Sequence, residues 1–221
     1  MNLFSITEIF FTINGLLCLA CAFKMRGVYK KGGAILHKYF SYFFFSMAVF
    51  FFVNSVPAII SGFSLDVVKQ SFSISQLFLF LSLAFFMMVP TGIWLPTLKK
   101  PIFVVVVIAG VLSVSLTPFY YKLSPIIVDN FISWQLPLFL GLYGFLVSAI
   151  IAGASALFFL RGGMIAIEAK SKKRSYVFAL ASFLLLFSAF FWAGETSPWL
   201  PLSYIAGILG YLLAYVGVYM I

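Results

Sequence analysis

The sequence holds few residues that could carry out chemistry, with one histidine and two cysteines among 221 residues. A metal site needs several His, Cys or carboxylate groups that converge, and His37 lies alone in a basic stretch. Cys18 and Cys21 share one face of an apolar helix, whereas a reactive thiolate needs an electropositive setting. We interpret both cysteines as packing residues in preference to redox or metal use. We predict no metal, no cofactor and no disulfide framework.

Catalytic constellations are equally scarce. No serine–histidine pair, no paired catalytic carboxylates and no glycine-rich phosphate loop stands out. Microbial rhodopsins need a lysine in their seventh span to hold retinal, and Trp199–Ile221 contains none. We therefore predict that the protein is not an enzyme and carries no covalent retinal.

The informative residues are polar ones within otherwise apolar stretches. Such residues are costly in a membrane and usually face the interior of a helix bundle. We predict an outward-opening cavity whose ligand-binding residues come from one set: Glu8, Asn54, Gln76, Ser115 and Glu195. Glu8 has an alternative role as an edge carboxylate that reaches the interface, and Asn54 as an interhelical hydrogen-bond donor.

The composition requires a membrane around these residues. The chain is 64% hydrophobic and only 9% charged, whereas a soluble domain carries about 25% charged residues. Its net charge of +9 lies mainly in short loops between apolar runs, which predicts contact with anionic lipid and no nucleic-acid binding.

Seven stretches are apolar enough and long enough to approach the roughly 20 residues that a membrane span needs. They predict an all-α integral membrane protein, a single seven-helix transmembrane domain over residues 1–221. The predicted spans are approximately 3–23, 39–61, 74–95, 102–119, 136–160, 176–193 and 199–221. Pro90 lies inside the third span and predicts a bend or local unwinding there.

The basic residues predict how the chain is threaded. Loops one, three and five hold five, two and five Lys or Arg residues, out of fourteen in the chain. Lys24–Lys38, with the sequence KMRGVYKKGGAILHK, is the clearest of these loops. Short basic loops stay in the cytoplasm, so we expect the N-terminus outside and the C-terminus inside, in a multi-pass protein of a prokaryotic plasma membrane.

Two hairpins have a similar layout. Span one, its basic loop and span two resemble span five, the basic loop Arg161–Arg174 and span six. This is compatible with parallel three-helix repeats joined by one helix, or with coincidence, because any two hairpins with basic inner loops look alike.

The same hairpins carry a family resemblance. The run from Phe23 through Tyr39, continuing into YFSYFFFSMAVFFF, and the run LFFLRGGMIAIEAKSKKRSYVFALASFLLLF resemble the seven-helix sensor regions at the N-terminus of bacterial histidine kinases. The resemblance rests on loop length, charge and hydropathy. Here the sequence ends at Ile221 without a kinase domain, so the resemblance implies a stand-alone or truncated version.

Three function classes follow. The first is a sensor or receptor-like bundle that binds a small apolar ligand in its outer half and acts through a cytoplasmic signalling partner. The second is a structural or assembly subunit of a larger membrane complex. The third is a small-solute transporter or channel, favoured by a repeat and weakened by the scarcity of membrane charges.

Overall fold

A computed structural model describes residues 6–62, 64–120, 126–128, 131–133, 137–193 and 200–220. The described chain consists of helices and one small β-hairpin. The helices are α1 Ile6–Lys30, α2 Ile35–Ile60, α3 Leu65–Trp94, α4 Lys99–Tyr120, α5 Leu138–Ile165, α6 Ala169–Ala193 and α7 Leu200–Tyr219. The strands are β1 Ile126–Val128 and β2 Phe131–Ser133.

Six of these helices are long and apolar enough to cross a membrane by length and composition. They are α1, α2, α3 and α5, together with Lys99–Thr117 of α4 and Pro201–Tyr219 of α7. Helix α6 differs because it begins with a charged segment, and its apolar part starts near Tyr176. The protein is therefore a multi-pass helical membrane protein.

The helices extend beyond several predicted spans. Helix α1 continues to Lys30, and α3 begins at Leu65, nine residues before the predicted Ile74. Hydropathy marks only the part of a helix that lies in hydrocarbon, whereas backbone hydrogen bonding continues into the polar interface. The predicted loop Lys24–Lys38 is consequently a short turn between two helices.

This turn has the hydrogen bonds of a Schellman motif. Gly32 has a φ of +90°, its N–H donates to the Tyr29 carbonyl, and the Gly33 N–H donates to the Val28 carbonyl. Glycine adopts a positive φ without steric cost, so Gly-Gly after Lys31 ends α1 sharply. We call this end of the bundle, where the α1–α2, α3–α4 and α5–α6 turns lie, the basic end.

The helices form a ring in the order α1, α2, α3, α5, α6 and α7, and α7 returns to α1. Helix α4 packs mainly on the outside of α3, where Gly110 lies against Phe80. Two three-helix units, α1–α3 and α5–α7, therefore make the ring, with α1 beside α7 and α3 beside α5. This order matches the three-plus-one-plus-three layout considered from the sequence.

A short β-hairpin, formed by β1 and β2, lies between α4 and α5 in the chain order. β1 pairs antiparallel with β2, with Ile127 opposite Ile132. The Thr7 hydroxyl oxygen accepts a hydrogen bond from the Ile132 N–H at 2.9 Å, and the Thr7 hydroxyl lies 3.5 Å from the Tyr204 hydroxyl. The hairpin thus joins the first turns of α1 and α7 at what we call the hairpin end.

Helix α3 remains α-helical across Pro90, so local unwinding is not observed there, and the bend stays a prediction. The Thr91 hydroxyl donates to the Met87 carbonyl at 2.6 Å, and Pro90 itself is buried. A side-chain hydroxyl that bonds the preceding turn is a common companion of proline in membrane helices.

Candidate functional site

A cavity of about 170 Å³ lies within the helix ring. All six ring helices contribute to its wall, and none of the described lining residues comes from α4. The wall is mainly aromatic and aliphatic, with glycines on α5 and α7. Its aromatic members are Phe11, Phe43, Phe50, Phe51, Phe86, Phe145, Tyr204 and Tyr211.

Toward the basic end the cavity meets a cluster of phenylalanine rings, which we call the aromatic plug: Phe40, Phe43, Phe86, Phe159 and Phe178. The Phe43 and Phe86 ring centroids are 4.6 Å apart, and both rings line the cavity. Behind them the Phe40, Phe159 and Phe178 centroids lie 5.2 to 5.9 Å from one another. These distances are those of close aromatic packing, so the plug separates the cavity from the basic end.

At the hairpin end three rings form a stack. The Phe10 and Tyr204 centroids are 5.4 Å apart, and Tyr204 and Phe131 are 5.6 Å apart. Tyr204 also lines the cavity. The hairpin therefore contacts the cavity wall through the stacking of Phe131 on Tyr204.

Two amide side chains reach this apolar cavity. Asn14 from α1 and Gln76 from α3 line it, with only 4% and 8% of their surfaces exposed. Asn14 Oδ1, an acceptor, and Gln76 Nε2, a donor, are buried without a hydrogen-bond partner in the described structure. An unpartnered buried polar atom costs about 1–3 kcal/mol, so a molecule in the cavity that reached either atom would offset that cost.

The structure separates the five residues predicted to bind ligand. Gln76 lines the cavity, whereas Glu8 and Asn54 are buried to 1% exposure without being among its lining residues. Ser115 lies on α4 with an exposed side chain, outside the ring, so its predicted place in the cavity wall is not supported. Glu195 lies outside the described residues.

Asn54 and Glu8 have local surroundings of their own. Asn54 Nδ2 donates to the Phe50 carbonyl of the preceding turn at 2.8 Å, an intrahelical bond in place of the interhelical one considered from sequence. Glu8 lies in the first turn of α1, where a carboxylate is favoured by the helix dipole.

Sequence reasoning missed the tyrosines and one useful glycine. Tyr204 and Tyr211 are spaced by about two turns on α7, which predicts a shared face but not which neighbour the face meets. Glycine in a membrane helix commonly marks a point of close helix packing. A Cβ at Gly144 would meet no atom within 4 Å, so this glycine leaves open space in the cavity wall instead.

Within the described residues no group of three His, Cys, Asp or Glu side chains converges. Cys18 and Cys21 are free and buried in the core, at 0% and 1% exposure. Comparison with known proteins finds no family model, no curated protein and no solved structure that matches the chain. The function is therefore argued from the geometry of the cavity.

Proposed function

We propose that the protein is a sensor or receptor-like membrane bundle that binds one small, mainly apolar molecule in the cavity. The observation that carries this proposal is the meeting of an aromatic wall with two unpartnered amide atoms, Asn14 Oδ1 and Gln76 Nε2. Protein interiors are close-packed and seldom leave a cavity of this size, and both amide side chains belong to its wall.

The size and polarity of the cavity define the ligand class. A cavity near 150 Å³ with apolar walls accepts benzene, so about 170 Å³ suits a single substituted ring. A hydrogen-bond donor on the ligand satisfies Asn14 Oδ1, and an acceptor satisfies Gln76 Nε2. The ligand is neutral, because no described lining residue carries a formal charge to pair with an ion.

We further propose seven spans, including α6, with the N-terminus outside and the cavity in the outer half. Twelve of the fourteen basic residues lie in loops one, three and five, and this supports the orientation. Ile126 is exposed on the hairpin and Lys172 is exposed on α6. In intact cells a membrane-impermeant maleimide should label Ile126→Cys at once and Lys172→Cys only after permeabilisation. The reverse order would overturn the orientation.

Helices α1, α2, α5 and α6 line the cavity and end at the two longest basic loops, so a ligand that shifts their packing changes the surface offered to a cytoplasmic partner. We propose that this change in helix packing transmits ligand binding to the basic end, where a partner protein binds the altered surface.

Ligand binding is testable with three compounds of similar size: benzamide, toluene and benzoate. Benzamide carries a donor and an acceptor, toluene neither, and benzoate a charge. The midpoint of thermal unfolding of the purified protein should rise most with benzamide, less with toluene and not with benzoate, because only a ligand bound to the native state stabilises it.

A pair of glycine variants on α5 controls for the site. Gly144→Leu fills the cavity, whereas Gly153→Leu adds the same side chain at a helix position that has open space and does not line the cavity. Gly144→Leu should abolish stabilisation by benzamide and Gly153→Leu should retain it. Equal stabilisation of both variants would show that benzamide binds elsewhere and would overturn the proposed site.

A transporter is the second candidate, and the two three-helix units of the ring favour it. Parallel repeats in transporters enclose a substrate site between their halves, as α1–α3 and α5–α7 enclose this cavity. Transport requires the aromatic plug to open. Phe159→Cys would then react with a water-soluble maleimide from the basic end in the presence of ligand, whereas in a receptor this cysteine stays unreactive.

A further inference from the structure

A second site candidate lies at the basic end, between α1 and α2. The Arg26 guanidinium carbon lies 6.0 Å from the Tyr29 ring centroid and 5.9 Å from that of Tyr42. The Lys38 Nζ lies 5.9 Å and 5.8 Å from the same two centroids. Two cations from neighbouring helices thus share two tyrosine rings.

Neither α1 nor α2 brings an acidic residue to this cluster. The sequence has no acidic residue between Glu8, at the opposite end of α1, and Asp66, at the start of α3. Arg26 Nη1 is buried and has no hydrogen-bond partner in the described structure. Two like charges that share the same rings repel each other, and the face of a tyrosine ring offers only weak compensation.

The walls of the cluster are held in place by further packing. The Tyr42 and Phe85 ring centroids are 5.0 Å apart, and Phe85 lies 5.1 Å from Phe103 of α4. Arg26 is four residues before the end of α1, about 6 Å along the helix axis. A helix end with tyrosine and arginine side chains at this depth lies at the level of lipid headgroups.

We propose that Arg26 and Lys38 bind the phosphate of an anionic ligand at the basic end, with Tyr29 and Tyr42 as the walls of the site. The guanidinium presents a planar fork of N–H groups that matches two phosphate oxygens, and the ammonium of Lys38 adds a second positive charge. The phosphate cancels the repulsion between the cations and gives Arg26 Nη1 an acceptor. Its source is a lipid headgroup phosphodiester or a free phosphate in the cytoplasm.

The test uses the full chain in nanodiscs of phosphatidylcholine alone or of phosphatidylcholine mixed with phosphatidylglycerol. Native mass spectrometry measures bound lipid, and thermal unfolding measures the stabilisation. Arg26→Gln/Lys38→Gln is compared with Lys30→Gln/Lys31→Gln, which removes the same charge from exposed residues of the adjacent turn. The first variant should bind phosphatidylglycerol about tenfold more weakly, and the second should bind it as the unmodified chain does.

A separate arm adds inorganic phosphate to the phosphatidylcholine nanodiscs. Stabilisation by phosphatidylglycerol alone supports a lipid site, and equal stabilisation by inorganic phosphate supports a free anion at the same residues. Arg26→Lys keeps the positive charge and removes the planar guanidinium. This variant replaces the glutamine variant if the latter does not fold, and it should lose part of the affinity for phosphatidylglycerol. Equal losses in both double variants, or no loss in either, would overturn the proposal.

Discussion

At the scale of single residues the cavity depends on two amides that are buried without partners. Asn14 and Gln76 come from different helices and present an acceptor and a donor. Functional sites often retain such unsatisfied groups at a cost in stability, because the ligand supplies what the protein lacks. Stability and binding should consequently change in opposite directions when one amide is replaced by an apolar side chain of similar shape.

Gln76→Met tests this opposition. It removes the unpartnered Nε2 and keeps the length of the side chain, so we expect the empty protein to gain about 1 kcal/mol in unfolding free energy. The same variant should bind toluene as before and lose its preference for benzamide, as measured by thermal shift.

The control for Gln76→Met is Ser115→Ala. Ser115 is exposed on α4, so this variant should change neither the stability nor the preference for benzamide. A Gln76→Met protein that still prefers benzamide would show that the amide does not contact the ligand.

Gly110 tests the packing of α4 on α3. A Cβ at this buried position would lie 2.5 Å from Phe80 Cβ, closer than two carbon atoms can approach without movement. We expect overpacking in Gly110→Ala to destabilise the protein by about 1–3 kcal/mol. The higher helix propensity of alanine offsets part of this loss. The comparison is Gly27→Ala, where a Cβ meets no atom within 4 Å and the change should be neutral or stabilising. The free energy of unfolding of the two variants is measured in the same detergent. Equal stabilities would contradict the close approach of Gly110 to Phe80.

At the scale of elements the hairpin holds two helix ends together through one hydroxyl. Thr7 of α1 accepts the hydrogen bond from Ile132 of β2 and neighbours Tyr204 of α7. Ile132 is 1% exposed, so its N–H depends on this partner. The aromatic stack of Phe10, Tyr204 and Phe131 reinforces the same junction.

Thr7→Val removes the acceptor and keeps the shape of the side chain. We expect a loss of about 1–3 kcal/mol, because the Ile132 N–H is left buried without a partner. Hydrogen exchange at the Ile132 amide should become faster. Thr117→Val is the matched control, since the Thr117 hydroxyl donates to the Ser113 carbonyl of its own helix, α4. Unchanged exchange at Ile132 in Thr7→Val would refute the junction.

At the scale of the whole molecule the ring divides into a cavity and the aromatic plug. The plug rings pack α2, α3, α5 and α6 against each other below the cavity. A ligand that contacts Phe43 and Phe86 therefore acts on the same rings that fix the helices at the basic end. Tight cores respond to such a change by discrete repacking rather than by gradual deformation.

Spin labels at Lys31→Cys and Lys172→Cys measure this response. Both positions are exposed at the basic end, and Cys18 and Cys21 are buried where labels do not reach. We expect saturating benzamide to shift the distance distribution between the labels, and Gly144→Leu to remove the shift. A distribution that benzamide leaves unchanged would separate binding from transmission and would disfavour a receptor.

Several features follow from local sequence patterns alone. Long apolar runs determine the membrane helices, because a helix in lipid must be apolar along about 20 residues. The basic loops mark one end of the bundle, and Gly32-Gly33 ends α1 because only glycine takes a positive φ freely. The hairpin could also have been predicted, since Ile-Ile-Val and Phe-Ile-Ser, which are rich in strand-forming residues, flank the turn-forming pair Asp-Asn.

Other features depend on which helices meet, and local patterns carry no information about that. Gln76 and Ser115 are similar polar residues in similar apolar helices, yet one faces the cavity and the other faces outward, because α3 is in the ring and α4 is outside it. Gly144 and Gly210 are likewise indistinguishable by sequence, and only packing leaves space beside the first and Leu185 beside the second. The sequence by itself determined the helices and the distribution of charge along them, and the tertiary structure decided which of their polar faces became a site.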